Sequence, residues 1–349
     1  MRGLVVAGTQ NGRVRLVDLE TGEDRWDKKH HTAVNSCAIS HDGRFVATGG
    51  GDRSWKILDA LNGRVLVRPA AHHSGRGACA CAVDRRTGDF RSFRDRPDQH
   101  CPVIGHGAWV MAIAWCPGGE RVATCGGSDG WVMVWNARTG ERELFLEGHA
   151  EGKCLRAVMF SPSDGALLAS GGDDGAIRVW DSKSGALHAH IEAHRMSVLA
   201  LAFSPCGGKL VSGGLESYGD GTGEYRARVW STVDWGLVHT LEGHTCRVNS
   251  VGFSPDGHEI VSGSGDGSVR VWRTLTGKMA RQSPGRGQKK ATFTTSIYMS
   301  QKPASVQAVA FSPDGETIGV VFQNGDCRCV RPTSLAPKHN HPPLPLSSL

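Results

Sequence analysis

Apolar and polar residues alternate along this chain in short stretches, each closed by turn residues. Val248-Asn249-Ser250-Val251-Gly252-Phe253 leads into Ser254-Pro255-Asp256-Gly257. A small-residue run, Ile260 to Gly263, follows, then Gly265-Asp266-Gly267, then Val269-Arg270-Val271-Trp272. Alternation with a period of two predicts half-buried strands, and Pro-Asp-Gly or Gly-Asp-Gly between them predicts tight turns. The same phrase runs from Gly148-His149 to Ile177-Arg178-Val179-Trp180, and from Gly243-His244 to Trp272. Weaker copies run from His31 to Leu58, from His106 to Trp135 and from His194 to Trp230. A period of roughly 40–45 residues with four short strands per unit predicts an all-β fold, the β-propeller.

Third strands are expected to end at Val17, Leu58, Trp135, Trp180, Trp230, Trp272 and Val330, which gives seven blades. The interval from Leu58 to Trp135 is longer than one period. Within it, Ala78 to Val83 resembles a first strand and Phe90 to Asp95 a worn third strand. The stretch 69–105 is therefore read as an irregular insertion, with an eroded eighth blade as the alternative. The propeller is assigned to 1–331, with a basic loop over 281–304. The Pro- and Ser-rich tail 332–349 is expected to be disordered, and Pro342-Pro343-Leu344-Pro345 within it suits a polyproline helix. The chain enters at a second strand, Leu4 to Gly8, followed by Val14 to Val17 and Glu23 to Trp26. Its last blade offers first, second and third strands. Both ends supply second and third strands, so the expectation is a fragment or an imperfectly closed ring.

The repeated phrase resembles the WD-repeat family over nearly the whole chain. In that family a His before the first strand, a Ser or Thr on the second, an Asp in the next turn and a Trp on the third form a hydrogen-bonded tetrad. The resemblance implies complete tetrads at His149, Ser170, Asp174, Trp180 and at His244, Ser262, Asp266, Trp272. A third has His106, Asp129 and Trp135, with Cys125 in place of the hydroxyl residue. A fourth has His31, Thr48 and Asp52, with Leu58 in place of Trp. A fifth keeps His194, Ser212 and Trp230 beside an expanded turn, Leu215 to Tyr225. Trp135-Asn136-Ala137-Arg138 is similar to the Trp-Asp-x-Arg sequence of WD-repeat substrate receptors in cullin-RING ubiquitin ligases, with Asn in place of Asp.

Composition narrows the picture further. The 47 glycines suit short twisted strands and tight turns. No apolar stretch is long enough to span a membrane, and the N-terminal residues read as a hairpin around Asn11-Gly12, not as a signal peptide. The eleven cysteines, among them Cys37, Cys116, Cys154, Cys327 and Cys329, are read as reduced buried thiols. A cytoplasmic or nuclear location follows as an expectation. The net charge of +6 equals the excess between Lys278 and Lys302, where six basic residues meet no acidic one. A nucleic-acid-binding fold would spread such charge over a folded face.

Candidate chemistry is weak. His, Ser and Asp could build a hydrolase triad, but the grouping recurs once per blade, as a catalytic site does not. Gly263-Ser264-Gly265 matches a nucleophile elbow only in part and opens no helix. His72, His73, Cys79, Cys81, His100 and Cys101 match no common zinc spacing. Gly221-Thr222-Gly223 and Gly285-Arg286-Gly287 lack the strand–turn–helix context of a phosphate loop. No catalytic residue, metal or cofactor is assigned.

The family pattern implies that residues after each Gly-His lie on the top rim of the central channel. These include Trp109, Arg195, Met196 and Arg247, with Trp131 expected near Trp109. Trp, Arg and Met are enriched at interfaces. The reading is a non-catalytic scaffold or adaptor that binds a protein or peptide, acidic in character, on its top face. Alternatives are a ubiquitin-ligase substrate receptor and an RNA-associated protein using the basic loop. The sequence leaves the oligomeric state open.

Overall fold

A computed structural model describes residues 4–18, 21, 23–69, 105–216, 225–282, 304–323 and 327–330. These residues form seven antiparallel sheets and, among the described residues, no helix. The first sheet holds β1 (Leu4–Gly8), β2 (Arg13–Asp18) and β3 (Asp24–Lys29). The second holds β4 (Val34–Ile39), β5 (Phe45–Gly50), β6 (Trp55–Asp59) and β7 (Val65–Val67). The third holds β8 (Val110–Trp115), β9 (Arg121–Gly126), β10 (Val132–Asn136) and β11 (Arg142–Leu146). The fourth holds β12 (Leu155–Phe160), β13 (Leu167–Gly172), β14 (Ala176–Asp181) and β15 (Leu187–Glu192). The fifth holds β16 (Ser197–Phe203), β17 (Lys209–Leu215), β18 (Tyr225–Ser231) and β19 (Leu237–His244). The sixth holds β20 (Val248–Phe253), β21 (Glu259–Ser264), β22 (Val269–Arg273) and β23 (Met279–Gln282). The seventh holds β24 (Val306–Phe311), β25 (Ile318–Phe322) and β26 (Cys327–Val330).

Each sheet is a meander, and the first strands of successive sheets touch: β4 with β8, β8 with β12, and so on to β24. They line the axis of a seven-bladed β-propeller. Each first strand carries a bulge against its second strand, with the register shifting at Val34/Ser36, Val110/Ala112, Leu155/Ala157, Val198/Ala200, Val248/Ser250 and Val306/Ala308. The extra residue turns positions one and four, and not one and three, to the same face. That is why Val110 and Ile113, Leu155 and Val158, and Val248 and Val251 are buried together.

The core lies between blades. One cluster packs Cys125, Val134 and Leu146 of the third sheet against Leu155, Phe160 and Trp180 of the fourth. Another packs Trp55 and Ile57 against Met133 and Trp135, with the two Trp rings 5.3 Å apart. Second strands β5, β9, β13, β17 and β21 sit between two blades, and nearly every residue in them is buried. Polar bonds also cross the axis wall. Asn35 Nδ2 donates to the Val110 carbonyl at 3.0 Å, and Asn249 Nδ2 does the same to Val306 at 2.7 Å.

The described cysteines are free thiols. The expectation of buried thiols holds for Cys116 and Cys125, whereas Cys37, Cys154 and Cys246 are half-buried, Cys206 is exposed, and Cys329 is exposed on β26, the outer strand of its described sheet. The zinc-spacing residues between His72 and Cys101, most of the basic loop and the Pro-rich tail lie outside the described residues.

Candidate partner-binding face

Five His side chains tie the loops before β4, β8, β12, β16 and β20 to the turns after the second strands of the same blades, so both kinds of loop share one end of the propeller. In the fourth blade His149 Nδ1 lies 2.9 Å from Asp174, its Nε2 lies 2.7 Å from Ser170 Oγ, and Trp180 Nε1 donates to that same Oγ at 2.9 Å. The sixth blade repeats this with His244, Asp266, Ser262 and Trp272 at 3.0, 2.7 and 2.8 Å. With Nδ1–H donating to the carboxylate, Nε2 accepts the hydroxyl proton, and the hydroxyl accepts the indole N–H.

The third blade corrects the expectation at Cys125. The hydroxyl is Thr124, 2.8 Å from His106 Nε2 and accepting from Trp135 Nε1 at 2.7 Å, while Cys125 is buried in the apolar cluster on the other side of the strand. Asp129 lies 2.9 Å from His106 Nδ1. In the second blade His31 bonds Asp52 and Thr48 at 2.9 Å each, and Leu58 fills the Trp position, fully buried. In the fifth blade the carboxylate is Glu216, which accepts from His194 at 2.8 Å beside Ser212 and Trp230. Sequence reading missed Glu216. It also missed a cation on the third strand that braces the carboxylate: Arg178 donates to Asp174 at 2.8 Å, and Arg228 to Glu216.

Burial pushes His31, His149, His194 and His244 below their usual 6.5, against the pull of their carboxylates, so the rings are neutral. Burial alone would raise the carboxylates. The His hydrogen bonds outweigh it, helped by backbone N–H groups and, for Asp174 and Glu216, by arginine. Asp174 and Asp266 fall far below the carboxylate range, and Glu216 falls to about 2. Each of these Ser and Thr side chains is fully buried, and in the third to sixth blades its oxygen is shared by two ring nitrogens, so no substrate reaches it. The His-Ser-Asp groupings are structural ties. Ser264 likewise donates to the Cys246 carbonyl from a buried site.

These ties position the rim. Trp109 and Arg247 occupy the same place on their blades. The carbonyl of each accepts the N–H of the first residue after the second strand, Gly127 at 2.7 Å and Gly265 at 2.9 Å. Both lie where the first strands enter the channel. Trp109 is 60% exposed, and Arg247 is exposed as well. Register puts Ser197, opposite Leu215, in the equivalent place on the fifth blade. Arg195 stands two residues earlier, exposed, its N–H donating to Glu216 at 3.1 Å, and Met196 is half-buried. The backbones of Trp131 and Trp109 bond adjacent residues, Gly126 and Gly127, and the Trp131 side chain turns to the outer strand. Its ring packs edge-on against Phe145 of the outer strand, 5.1 Å between centroids.

The propeller and its tetrads define a repeat scaffold, and the family follows from comparison with known proteins. The profile described as WD domain, G-beta repeat matches residues 26–59, 99–136, 140–181, 185–222 and 235–273. The chain belongs to the WD-repeat family. It is 40% identical over 63 residues to WD repeat-containing protein SL1-17 of Schistosoma mansoni, covering 18% of this chain and 21% of that one. It is 27% identical over 152 residues to eukaryotic translation initiation factor 3 subunit I of Culex quinquefasciatus, covering 37% and 46%. It is 30% identical over 116 residues to WD repeat-containing protein slp1 of Schizosaccharomyces pombe, covering 31% and 23%. The chain thus spans less than half the length of each of these relatives.

Proposed function

We propose that the protein is a non-catalytic scaffold whose top face binds an acidic protein or peptide. The observation that carries this reading is Trp109, a large aromatic ring exposed at the channel mouth in the same register as Arg247. An exposed ring of that size on a rigid rim offers apolar area at little conformational cost. The face carries exposed cations beside the acidic Glu147 and Glu151. Arg53, Lys153, Arg195 and Arg247 are exposed on loops of this face, and no salt bridge involves them among the described residues. A carboxylate-rich segment would pair with guanidinium groups there while covering Trp109. One relative is named as a translation initiation factor subunit, and membership of a multiprotein complex accords with such a face.

The ubiquitin-ligase reading rests on Asn136 and Arg138. Asn136 Oδ1 accepts the N–H of Arg138 at 3.0 Å and of Thr139 at 3.1 Å. Asp181 caps its turn in the same way, through Lys183 and Ser184. Turn geometry therefore accounts for Asn136 without an adaptor. Affinity purification of the tagged chain, read by mass spectrometry with and without ribonuclease, tests these readings together. The scaffold reading expects ribonuclease-resistant protein partners that are lost on Trp109→Ala. A cullin adaptor lost on Arg138→Glu, or recovery only of RNA-bound proteins, would overturn it.

A further inference from the structure

The first strands of the second to seventh blades bring two layers of residues to the channel mouth. The upper layer is the residue just before the buried first position of each strand. The carbonyls of Ala33, Trp109, Cys154, Arg247 and Ser305 each accept the N–H of the first residue after the second strand of the same blade. That shared bond sets them at one height, and Ser197 holds the same register in the fifth blade. Only Trp109 and Arg247 among these six are large, so both stand up beside small neighbours. They belong to the third and sixth blades of seven and therefore face each other across the channel.

The lower layer is the extra residue of each bulge: Asn35, Met111, Arg156, Leu199, Asn249 and Gln307. None of these is buried, although the residue before each one is. Asn35 and Asn249 bond the carbonyls of Val110 and Val306 on the next inner strand, so this layer runs along the channel wall beneath the rim. Together the layers divide the mouth. The third to fifth blades place Trp109, Met111 and Leu199 on one side, with Arg156 held to Asp173 by two bonds of 2.5 and 2.7 Å. The sixth, seventh and second blades place Arg247 on the other side, above the amides Asn249, Gln307 and Asn35. One half is apolar, the other offers a guanidinium and three amides, and neither layer holds an acid among the described residues.

We propose that this mouth recognises an extended segment of the partner that carries a carboxylate side chain and, a few residues away, a bulky apolar one. The inference rests on the top-face reading and adds a second requirement to it. The carboxylate lies on Arg247, which can pair with it through two N–H groups, and Gln307 beside it adds an amide donor. The apolar side chain lies on the opposite wall, against Trp109, Met111 and Leu199. A segment with acid alone would satisfy the guanidinium and leave that wall in water. A segment with apolar residues alone would cover the wall and strip water from Arg247 without replacing it. Met111, unbranched and polarizable, lets the apolar wall take aliphatic or aromatic guests. The small residues Ala33, Cys154, Ser197 and Ser305 leave the backbone of the segment room to cross between the two walls.

The test pans a displayed library of short random peptides against the immobilised full chain. The best binder is then synthesised, labelled and titrated by fluorescence anisotropy. Enriched sequences should pair Asp or Glu with Leu, Ile, Met or an aromatic residue a few positions away. In the synthetic peptide, changing the acid to its amide or the apolar residue to serine should each weaken binding about tenfold. Two variants of the chain locate the halves. Gln307→Glu, at an exposed position, should weaken the acidic peptide about tenfold, and Met111→Gln should shrink the penalty of the serine substitution, as a double-mutant cycle reads. Melting temperatures confirm that both variants are folded. Enriched peptides that are acidic without an apolar partner, and that are still lost on Trp109→Ala combined with Arg247→Glu, would overturn the two-sided mouth and leave the acidic top face standing. Peptides that bind that double variant as well as wild type would overturn both. No enrichment over background would overturn the two-sided mouth alone, since a folded partner could still dock on the rim.

Discussion

Glu216 accepts a hydrogen bond from His194 Nδ1 at 2.8 Å, in the place where four other blades use aspartate. The longer side chain reaches from the start of the expanded turn and also receives Arg228. Its side chain is almost fully buried. Glu216→Ala should therefore destabilise the fold by about 3–5 kcal/mol, because it leaves the Arg228 guanidinium without its counter-ion and the buried His194 Nδ1–H without its carboxylate acceptor. Glu216→Gln keeps an acceptor and should cost less. Urea denaturation of the two variants checks the order. Equal midpoints for wild type and Glu216→Ala would show that the tie adds nothing.

Trp180 fills the junction between the third and fourth blades and donates to Ser170. Trp180→Ala should cost about 3–5 kcal/mol from lost core volume. The companion change His149→Ala should cost less, since it removes a smaller ring. An unchanged urea midpoint for Trp180→Ala would contradict the packing described.

In the third blade the hydroxyl of Thr124 serves both His106 and Trp135. Thr124→Val keeps the shape and removes the partner of two buried ring nitrogens, at a cost of about 1–3 kcal/mol. Cys125→Ala, in the neighbouring apolar cluster, should lose only the transfer energy of a small side chain. Thermal melts of the pair decide which residue is the hub.

Acid should weaken the fold in two stages. His31, His149, His194 and His244 have folded values below 6.5, so the unfolded chain takes up protons first. Their contribution is present above pH 6.5 and is lost as pH falls below it. Asp174, Asp266 and Glu216 lie below their ordinary 3.8, 3.8 and 4.5, so their contribution is lost only in stronger acid. Urea midpoints should hold steady from pH 8 to 7, fall toward pH 5 and fall again toward pH 3. A midpoint that rises between pH 7 and 5 would contradict neutral buried histidines.

Much of this was legible in the sequence because each blade repeats one hydrophobic phrase, and the repeat fixes strand order and the Trp and His positions. The misses came from single-residue shifts. The carboxylate stands four residues after the hydroxyl at Thr48/Asp52, Ser170/Asp174 and Ser262/Asp266, and Glu216 keeps that spacing from Ser212. It stands at the start of the expanded turn as Glu, where the pattern has Asp. The third blade has one more turn residue, so the same spacing counted back from Asp129 lands on Cys125 instead of Thr124. The side-chain direction of Trp131 depends on Phe145, a neighbour on the next strand that no local pattern reports.

The central claim is that the rim around Trp109 and Arg247 is the partner surface. Its most direct test is the affinity of a purified partner for three forms of the chain: wild type, Trp109→Ala combined with Arg247→Glu, and Arg138→Glu on the opposite end. Isothermal titration should show binding lost by at least about 100-fold in the double variant, unchanged in Arg138→Glu, and all three circular dichroism spectra alike. Binding kept by the double variant and lost in Arg138→Glu would contradict the account.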